Sequence, residues 1–332
     1  MKKRNLYAIA VIALSLVLTC PVYAGTGKAG YAGSYLKQGL GARAVGMGNA
    51  FTAIAEGAEG IFFNPAGLAI FPSREAVFTY NSLTLDRRLM GASIVTRVRN
   101  QAMLGVSWLY SSVGEVPMRD SDRNPVGNMP NGNNVFGLSF AKKFGDFFAA
   151  GTNLRYLHSK LEDLGAFAIA VDLGAIATYE KRGSIGLCIS NLGSSFRWQD
   201  WAGSSAEYED KLPLRFRLGA AAYWFDEKII TALDIEKDEK LDPLIRIGGE
   251  YWLTREVPIE NPGEIDEENG EVADSKVEKW FGLRAGYSEK SPAFGGSLFF
   301  PIGTLRGGID YAYKGGKLGE GSYNMFTLRV IF

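Results

Sequence analysis

From residue 74 to residue 332 the chain repeats a single form. Segments of about ten residues alternate large apolar side chains with polar or small ones, and each closes in a turn or polar loop. A strand turns its side chains to opposite faces at every residue, so each segment has two faces of different chemistry. The clearest case is 212–225. Leu214, Phe216, Leu218, Ala220, Ala222 and Trp224 share one face, and Arg215, Arg217, Gly219, Ala221 and Tyr223 share the other. An arginine facing lipid at mid-membrane costs roughly 2–4 kcal/mol. If the apolar face meets lipid, the arginines must face an enclosed interior. Beyond the first 24 residues no run of about 18 apolar residues occurs, which excludes helical spans. The expectation is an all-β, transmembrane antiparallel barrel.

We assign its strands to 74–82, 88–98, 101–111, 133–143, 147–158, 166–179, 183–192, 212–225, 228–237, 243–254, 279–288, 292–301, 304–314 and 322–332. That is about fourteen, an even number, as single-chain bacterial barrels have. The same parity rule yields an interior set of both signs. Its cations are Arg155, Arg215, Arg217, Arg246, Arg284, Arg306 and Arg329; its anions are Asp172, Asp234, Glu236, Glu250 and Asp310. Mixed charges of this kind can pair into a network that stabilises the interior and holds a plug.

The N-terminus reads as an export signal. Lys2, Lys3 and Arg4 precede an apolar run from Leu6 to Leu18, and Val22-Tyr23-Ala24 precedes Gly25 as a small-residue cleavage site. Cleavage after Ala24 removes three cations from a chain with 36 cationic and 36 acidic residues, leaving a net charge of −3. That balance gives no basic face for nucleic acid. It also removes Cys20, so Cys188 has no disulfide partner. With one histidine, His158, neither a histidine metal site nor a familiar catalytic triad can be assembled. No cofactor, metal site or enzymatic activity is expected. The expected division is a signal peptide at 1–24, a plug or hatch at 25–73, and the barrel at 74–332.

The stretch 39–70, GLGARAVGMGNAFTAIAEGAEGIFFNPAGLAI, breaks the alternation. It is rich in Gly and Ala and nearly uncharged. Asn64-Pro65 reads as a helix start, with Asn64 as cap and Pro65 at the first helical position. Ala50–Ala55 reads as a short helix. Gly46-Met47-Gly48 lacks the third glycine and the βαβ setting of a dinucleotide loop. Together Gly41-Ala42-Arg43, Met47-Gly48, Ala50-Phe51 and Asn64-Pro65-Ala66-Gly67-Leu68 resemble the N-terminal signature of the PorV/PorQ family. Those are outer-membrane barrels similar to the FadL fatty-acid transporters, with which they share the Asn-Pro-Ala element in a lumen hatch. The resemblance implies an outer-membrane location.

Two function classes stay open. The PorV/PorQ resemblance implies a docking protein of a type IX-like export system, with exported proteins or secretion components as partners. Its partner surface would be the long loops 112–132 and 193–211, the latter carrying Trp198 and Trp201 outside any strand. The FadL resemblance implies a passive transporter of hydrophobic small molecules such as fatty acids or aromatic hydrocarbons, with Gly295-Gly296 and Gly307-Gly308 as sites for a wall kink. Paired aromatics at strand ends, among them Tyr223-Trp224, Tyr251-Trp252 and Phe299-Phe300, read as interfacial girdles in contact with lipid. The terminal strand, with Phe326, Leu328, Val330 and Phe332 on one face, resembles the sorting signal that the barrel insertion machinery reads. The acidic stretch 255–278 reads as a solvated loop, with docking of a periplasmic partner as the alternative.

Overall fold

The computed structural model describes residues 32–99, 101–114, 116–180, 182–200, 208–239, 241–258, 275–316 and 321–332. The expected signal peptide 1–24, Trp201 and residues 259–274 of the acidic stretch lie outside them. The strands, in chain order, are β1 (Glu75–Ser82), β2 (Arg87–Arg99), β3 (Ala102–Val113), β4 (Pro117–Arg119), β5 (Pro125–Asn128), β6 (Asn131–Phe144), β7 (Phe148–Leu161), β8 (Leu164–Tyr179) and β9 (Gly183–Leu192). They continue as β10 (Ser195–Asp200), β11 (Tyr208–Lys211), β12 (Arg215–Trp224), β13 (Ile229–Asp238), β14 (Leu244–Pro258), β15 (Ser275–Ser288), β16 (Ser291–Ile302), β17 (Leu305–Lys314) and β18 (Tyr323–Ile331).

A closed antiparallel barrel of 14 strands results. Sequence neighbours pair around the circle, and β1 pairs with β18 to close it, Glu75 lying opposite Ile331 and Ser82 opposite Asn324. Closure leaves the wall no free edge, the condition under which strands can cross a bilayer. Phe326 and Leu328 on β18 are 50% and 54% exposed on the outer face, whereas Thr327 between them and Arg329 after them are buried. We call the rim where residues 71–74 enter β1 the lower rim, and the opposite one the upper rim.

Three features go beyond the fourteen assigned segments. β4 and β5 form a separate hairpin above the upper rim, paired only with each other. β10 and β11 form a second one, joined to the barrel through β8. Trp198 therefore sits in a strand, not in a loop, with its ring 6.2 Å from that of Phe196. The third is a break in the wall between β9 and β10, where Asn191 and Gly193 adopt positive φ. Below the break β9 pairs with β12; above it β10 pairs with β11 instead. By contrast, the β16–β17 ladder runs through Gly295-Gly296 and Gly307-Gly308 without a shift. Those glycines carry no bulge, and Gly295 packs against Gly46 of the inner segment.

The acidic stretch is shorter as a loop than its composition implies. Arg255–Pro258 and Ser275–Glu278 continue the β14–β15 ladder, with a bulge between Leu253 and Thr254.

The main apolar cluster lies inside the barrel, and the N-terminal segment supplies most of it. From Leu40 to Ile70 every residue except Glu56 and Phe62 is buried. Among the described residues there are two short helices, α1 (Ala42–Gly46) and α2 (Gly67–Ile70), besides 3-10 turns at Ser34–Lys37 and Ala58–Phe62. No helix forms over Ala50–Ala55. The helix after Asn64 starts at Gly67, with Ala66 as its cap residue, so Asn64 and Pro65 precede it.

Candidate functional site

A segment with so little helix must satisfy its backbone groups by other means, because buried N–H and C=O groups are costly when unpaired. The barrel wall provides the partners. Asp234 on β13 accepts the N–H groups of Phe51 and Thr52 at 3.0 and 2.9 Å. Thr327 on β18 accepts that of Ala42 at 2.9 Å, and Glu75 on β1 that of Ala58 at 2.5 Å. Ser93 and Ser184 donate to the carbonyls of Ala58 and Ala53 at 2.9 and 2.7 Å.

Asn64 works in the opposite direction. Its amide nitrogen donates to Thr52 O at 3.0 Å within the segment, and to the wall carbonyls of Ala175 and Leu187 at 3.2 and 3.3 Å. Its Oδ1 accepts the Ala66 N–H at 3.2 Å. One buried side chain thus ties two parts of the segment to β8 and β9. Asn64→Ala is expected to cost about 1–3 kcal/mol through the unpaired carbonyls it leaves. Hydrogen exchange checks this: amides from Thr52 to Gly67 should exchange about tenfold faster or more, while those of β1 and β18 keep their protection.

The charged interior forms two groups. In the first, Arg43 of α1 reaches β14 and meets Glu250 with two parallel bonds, Nε–Oε2 at 2.9 Å and Nη2–Oε1 at 2.8 Å. Arg284 meets the same carboxylate at 2.5 Å, and the Trp252 indole donates to it at 2.5 Å. Arg43 also pairs with Glu56. Ser297 links Arg284 to Asp310. Arg329 joins Glu75 at 3.3 Å, Asp310 at 3.3 Å and Glu59 at 3.2 Å. The guanidiniums of Arg43 and Arg284 stack on the Trp252 ring, 5.7 and 5.1 Å from its centre. Arg306 stacks on Phe299 at 4.5 Å, near the lower rim.

The second group lies across the barrel. Arg155 bonds Asp172 at 2.6 Å and the Asn191 side chain at 2.7 Å, and Asp172 accepts the Asn191 N–H at 3.0 Å. Asn191 in turn donates to Pro213 O at 2.8 Å. These bonds clamp the wall break between β9 and β10. Arg246 bonds Glu236 at 2.8 Å, with Arg215 3.8 Å from the same residue. Lys37, next to the segment's upper end, pairs with Asp238 at 2.5 Å.

Parity alone did not reveal several participants. Glu59 and Glu56 lie on the non-repeating segment, where no alternation marks an interior face. Glu75 was legible, since it shares the inward parity of Val77 and Thr79. The aromatic pairs also divide. Trp224 and Tyr251 face outward, 52% and 44% exposed, but Trp252 is 3% exposed inside the barrel. Tyr223 and Phe299 likewise face in, against Ser184 and Arg306. They are interior contacts, not girdle residues.

Close approach is the other device. Inward-facing glycines line the segment's path around half the wall, often as cross-strand pairs: Gly151 opposite Gly174, Gly186 opposite Gly219, Gly248 opposite Gly286. A Cβ at Gly186 would overlap Thr52 O, and one at Gly286 would overlap Gly48 N. Gly46 of α1 passes Gly295 so closely that its own Cβ would stand 3.2 Å from the Gly295 Cα.

The sequence profile described as type IX secretion system protein PorV matches residues 31–244, which take in most of the inner segment and nine of the fourteen wall strands. The chain belongs to the PorV family. No curated protein matches it. Among solved structures, this PorV-family barrel is similar to a FadL homologue of Pseudomonas aeruginosa, with TM-score 0.55, 10% identity, and 88% of this chain and 97% of the other covered. It is similar to the toluene transporter TodX of Pseudomonas putida with TM-score 0.55, 12% identity, and 88% and 96% coverage. At such identities the likeness is one of fold: an outer-membrane barrel of the FadL-like kind.

Proposed function

We propose that this PorV-family barrel is a docking or shuttle component of protein export to the cell surface, of the type IX kind. Residues 25–73 act as its hatch, and the upper rim receives the cargo. The observation that carries the reading is the packing of Leu40–Ile70, which occupies the barrel's middle and is pinned by Arg43–Glu250, Asp234 and Asn64. A lumen held shut by buried charge pairs leaves the rims to do the work. In this reading the lower rim faces the periplasm, the signal peptide 1–24 is removed on export, and β18 with Phe332 is what the insertion machinery reads.

The upper rim carries two projecting hairpins. β4–β5 pairs with nothing else, so it can be removed without breaking the barrel ladder. The β10–β11 unit is anchored by Phe196, which is 2% exposed, and is less easily removed. Replacing 115–129 with a short turn should leave a folded barrel that no longer co-purifies with exported proteins from the native membrane in mild detergent. Undiminished cargo capture by that variant would remove this hairpin from the docking surface. Capture of no exported protein by the intact chain would sink the reading as a whole.

A passive transporter of hydrophobic small molecules is the second reading. The break between β9 and β10 supports it, because a wall whose ladder changes partner is where a side path to the membrane would open. A lipid or aromatic hydrocarbon retained at stoichiometric level after purification would favour this reading over the first.

A further inference from the structure

Three carboxylates converge on the Arg329 guanidinium at the level of the Ala58–Phe62 turn. Glu59 of the turn lies 3.2 Å from it, Glu75 of β1 3.3 Å and Asp310 of β17 3.3 Å. All three are buried. The neighbouring cations are engaged elsewhere. Arg284 holds Glu250 at 2.5 Å and stands 3.6 Å from Asp310. Arg43 is bound to Glu250 and Glu56. Arg306 is turned to the Lys279 carbonyl and the Phe299 ring. Arg43, Arg284 and Arg329 thus face four buried carboxylates, Glu59, Glu75, Glu250 and Asp310, besides the partly exposed Glu56.

The three acids around Arg329 differ in what else they accept. Glu75 takes the Ala58 N–H at 2.5 Å and the Ser73 hydroxyl at 3.3 Å, and Asp310 takes the Ser297 hydroxyl. The Glu59 oxygens accept no hydrogen bond among the described residues. The Glu59 carboxyl is pressed instead onto the backbone of Gly41, where a Cβ would stand 2.6 Å from its Cδ. The turn also packs on β2 and β3, which offer no charge: their inward residues at that level are Ser93, Val95, Met103 and Gly105. Burial, with Asp310 and Glu75 alongside, pushes the Glu59 carboxyl above the ordinary carboxylate range, against the pull of Arg329 and Arg43.

We propose that Glu59 is a proton-binding site that fastens the inner segment: its neutral carboxyl seats the Ala58–Phe62 turn on β1 and β18, and loss of the proton loosens that turn. Ionisation makes Glu59 the third negative charge on one guanidinium, and a buried charge without its own counter-charge is costly. The wall strands are closed by their ladders, so the turn is the part that yields. The proton comes from solvent and returns to it. A carboxyl raised in the folded protein keeps its proton where the unfolded chain has lost it. Its contribution is therefore fully present below the ordinary value of about 4.3 and is lost as pH rises through the folded value. Alkaline conditions loosen the segment, whichever cargo the barrel handles.

The test compares the full chain in detergent micelles with Glu59→Gln, whose amide imitates the neutral carboxyl. Unfolding temperatures are measured from about pH 5 to about pH 9, a range that starts just above the ordinary carboxylate value. The gap between the two proteins should widen toward high pH by several degrees in favour of the variant. Amides of Ala58–Phe63 should exchange about tenfold faster or more in wild type than in Glu59→Gln at the alkaline end, with those of β1 and β18 alike in both. Infrared spectra of wild type should show the carbonyl stretch of a neutral carboxyl that disappears on alkalinisation and is missing from the variant. A gap that stays constant with pH, or a variant less stable than wild type at the alkaline end, overturns the proposal, since an ordinary ion pair to Arg329 predicts the latter. Should Glu59→Gln fail to fold, the wild-type infrared titration decides: absence of a neutral carboxyl at about pH 6 refutes the site.

Discussion

Glu250→Ala is expected to destabilise the barrel by about 3–5 kcal/mol, the usual cost of removing one partner from a buried ion pair. The residue is one carboxylate serving three donors: Arg43 from the inner segment, Arg284 from β15 and the Trp252 indole. Its removal leaves two guanidiniums inside the wall with no acid between them. Only one of them, Arg284, has another carboxylate on the wall, Asp310 at 3.6 Å. Urea unfolding followed by tryptophan emission checks this, and Trp252 should also change its emission in the folded state. Glu250→Gln keeps an acceptor for the indole but no charge, so its midpoint should fall between wild type and Glu250→Ala. A midpoint for the alanine variant within about 0.5 kcal/mol of wild type, the range of an ordinary surface change, would mean that the Arg43 link does not hold the segment.

Gly186→Val should have the second largest effect, and a different one. The added carbons would overlap backbone, Thr52 O and C, not the end of a flexible side chain. Backbone cannot rotate away, so overpacking of at least about 1–3 kcal/mol falls on the segment and not on the wall, whose ladders do not involve the side chain. The expected product is a folded barrel with a displaced inner segment. Protease added to the purified protein should then cut within 39–70, and planar bilayers should show ion conductance absent from wild type. Gly249→Ala is the control, because a Cβ there meets nothing within 4 Å. If Gly186→Val stays protease-resistant and closed, the glycine-lined path is not what seats the segment.

Much of the wall was legible because the signal in a strand is local. Arg215 and Arg217 stand at odd positions among apolar residues, and no information beyond two neighbours is needed to put them on the inner face. The same rule fails at rims when it is replaced by a rule about residue type. Tyr223, Trp252 and Phe299 are aromatic and near strand ends, so they read as girdle residues, yet their parity already matched Arg217, Glu250 and Ser297. The inner segment was legible as a foreign piece, by its lack of alternation, but not in its shape. Ala50–Ala55 has the composition of a helix and forms none. Asp234 takes the N–H groups of Phe51 and Thr52 that helix formation would have left unpaired, so tertiary partners override propensity.

Alternation, the arginine faces and the seated Gly/Ala stretch were determined by the sequence, since each is a property of a few consecutive residues. Which carboxylate meets which guanidinium was decided only by the closed barrel. Arg43 and Glu250 are 207 residues apart, and strand order and stagger alone bring them to one level. The glycine pairs and the broken strand at Asn191 belong to the same category. Each depends on how far one strand is slid along its neighbour, and no stretch of chain contains that displacement within itself.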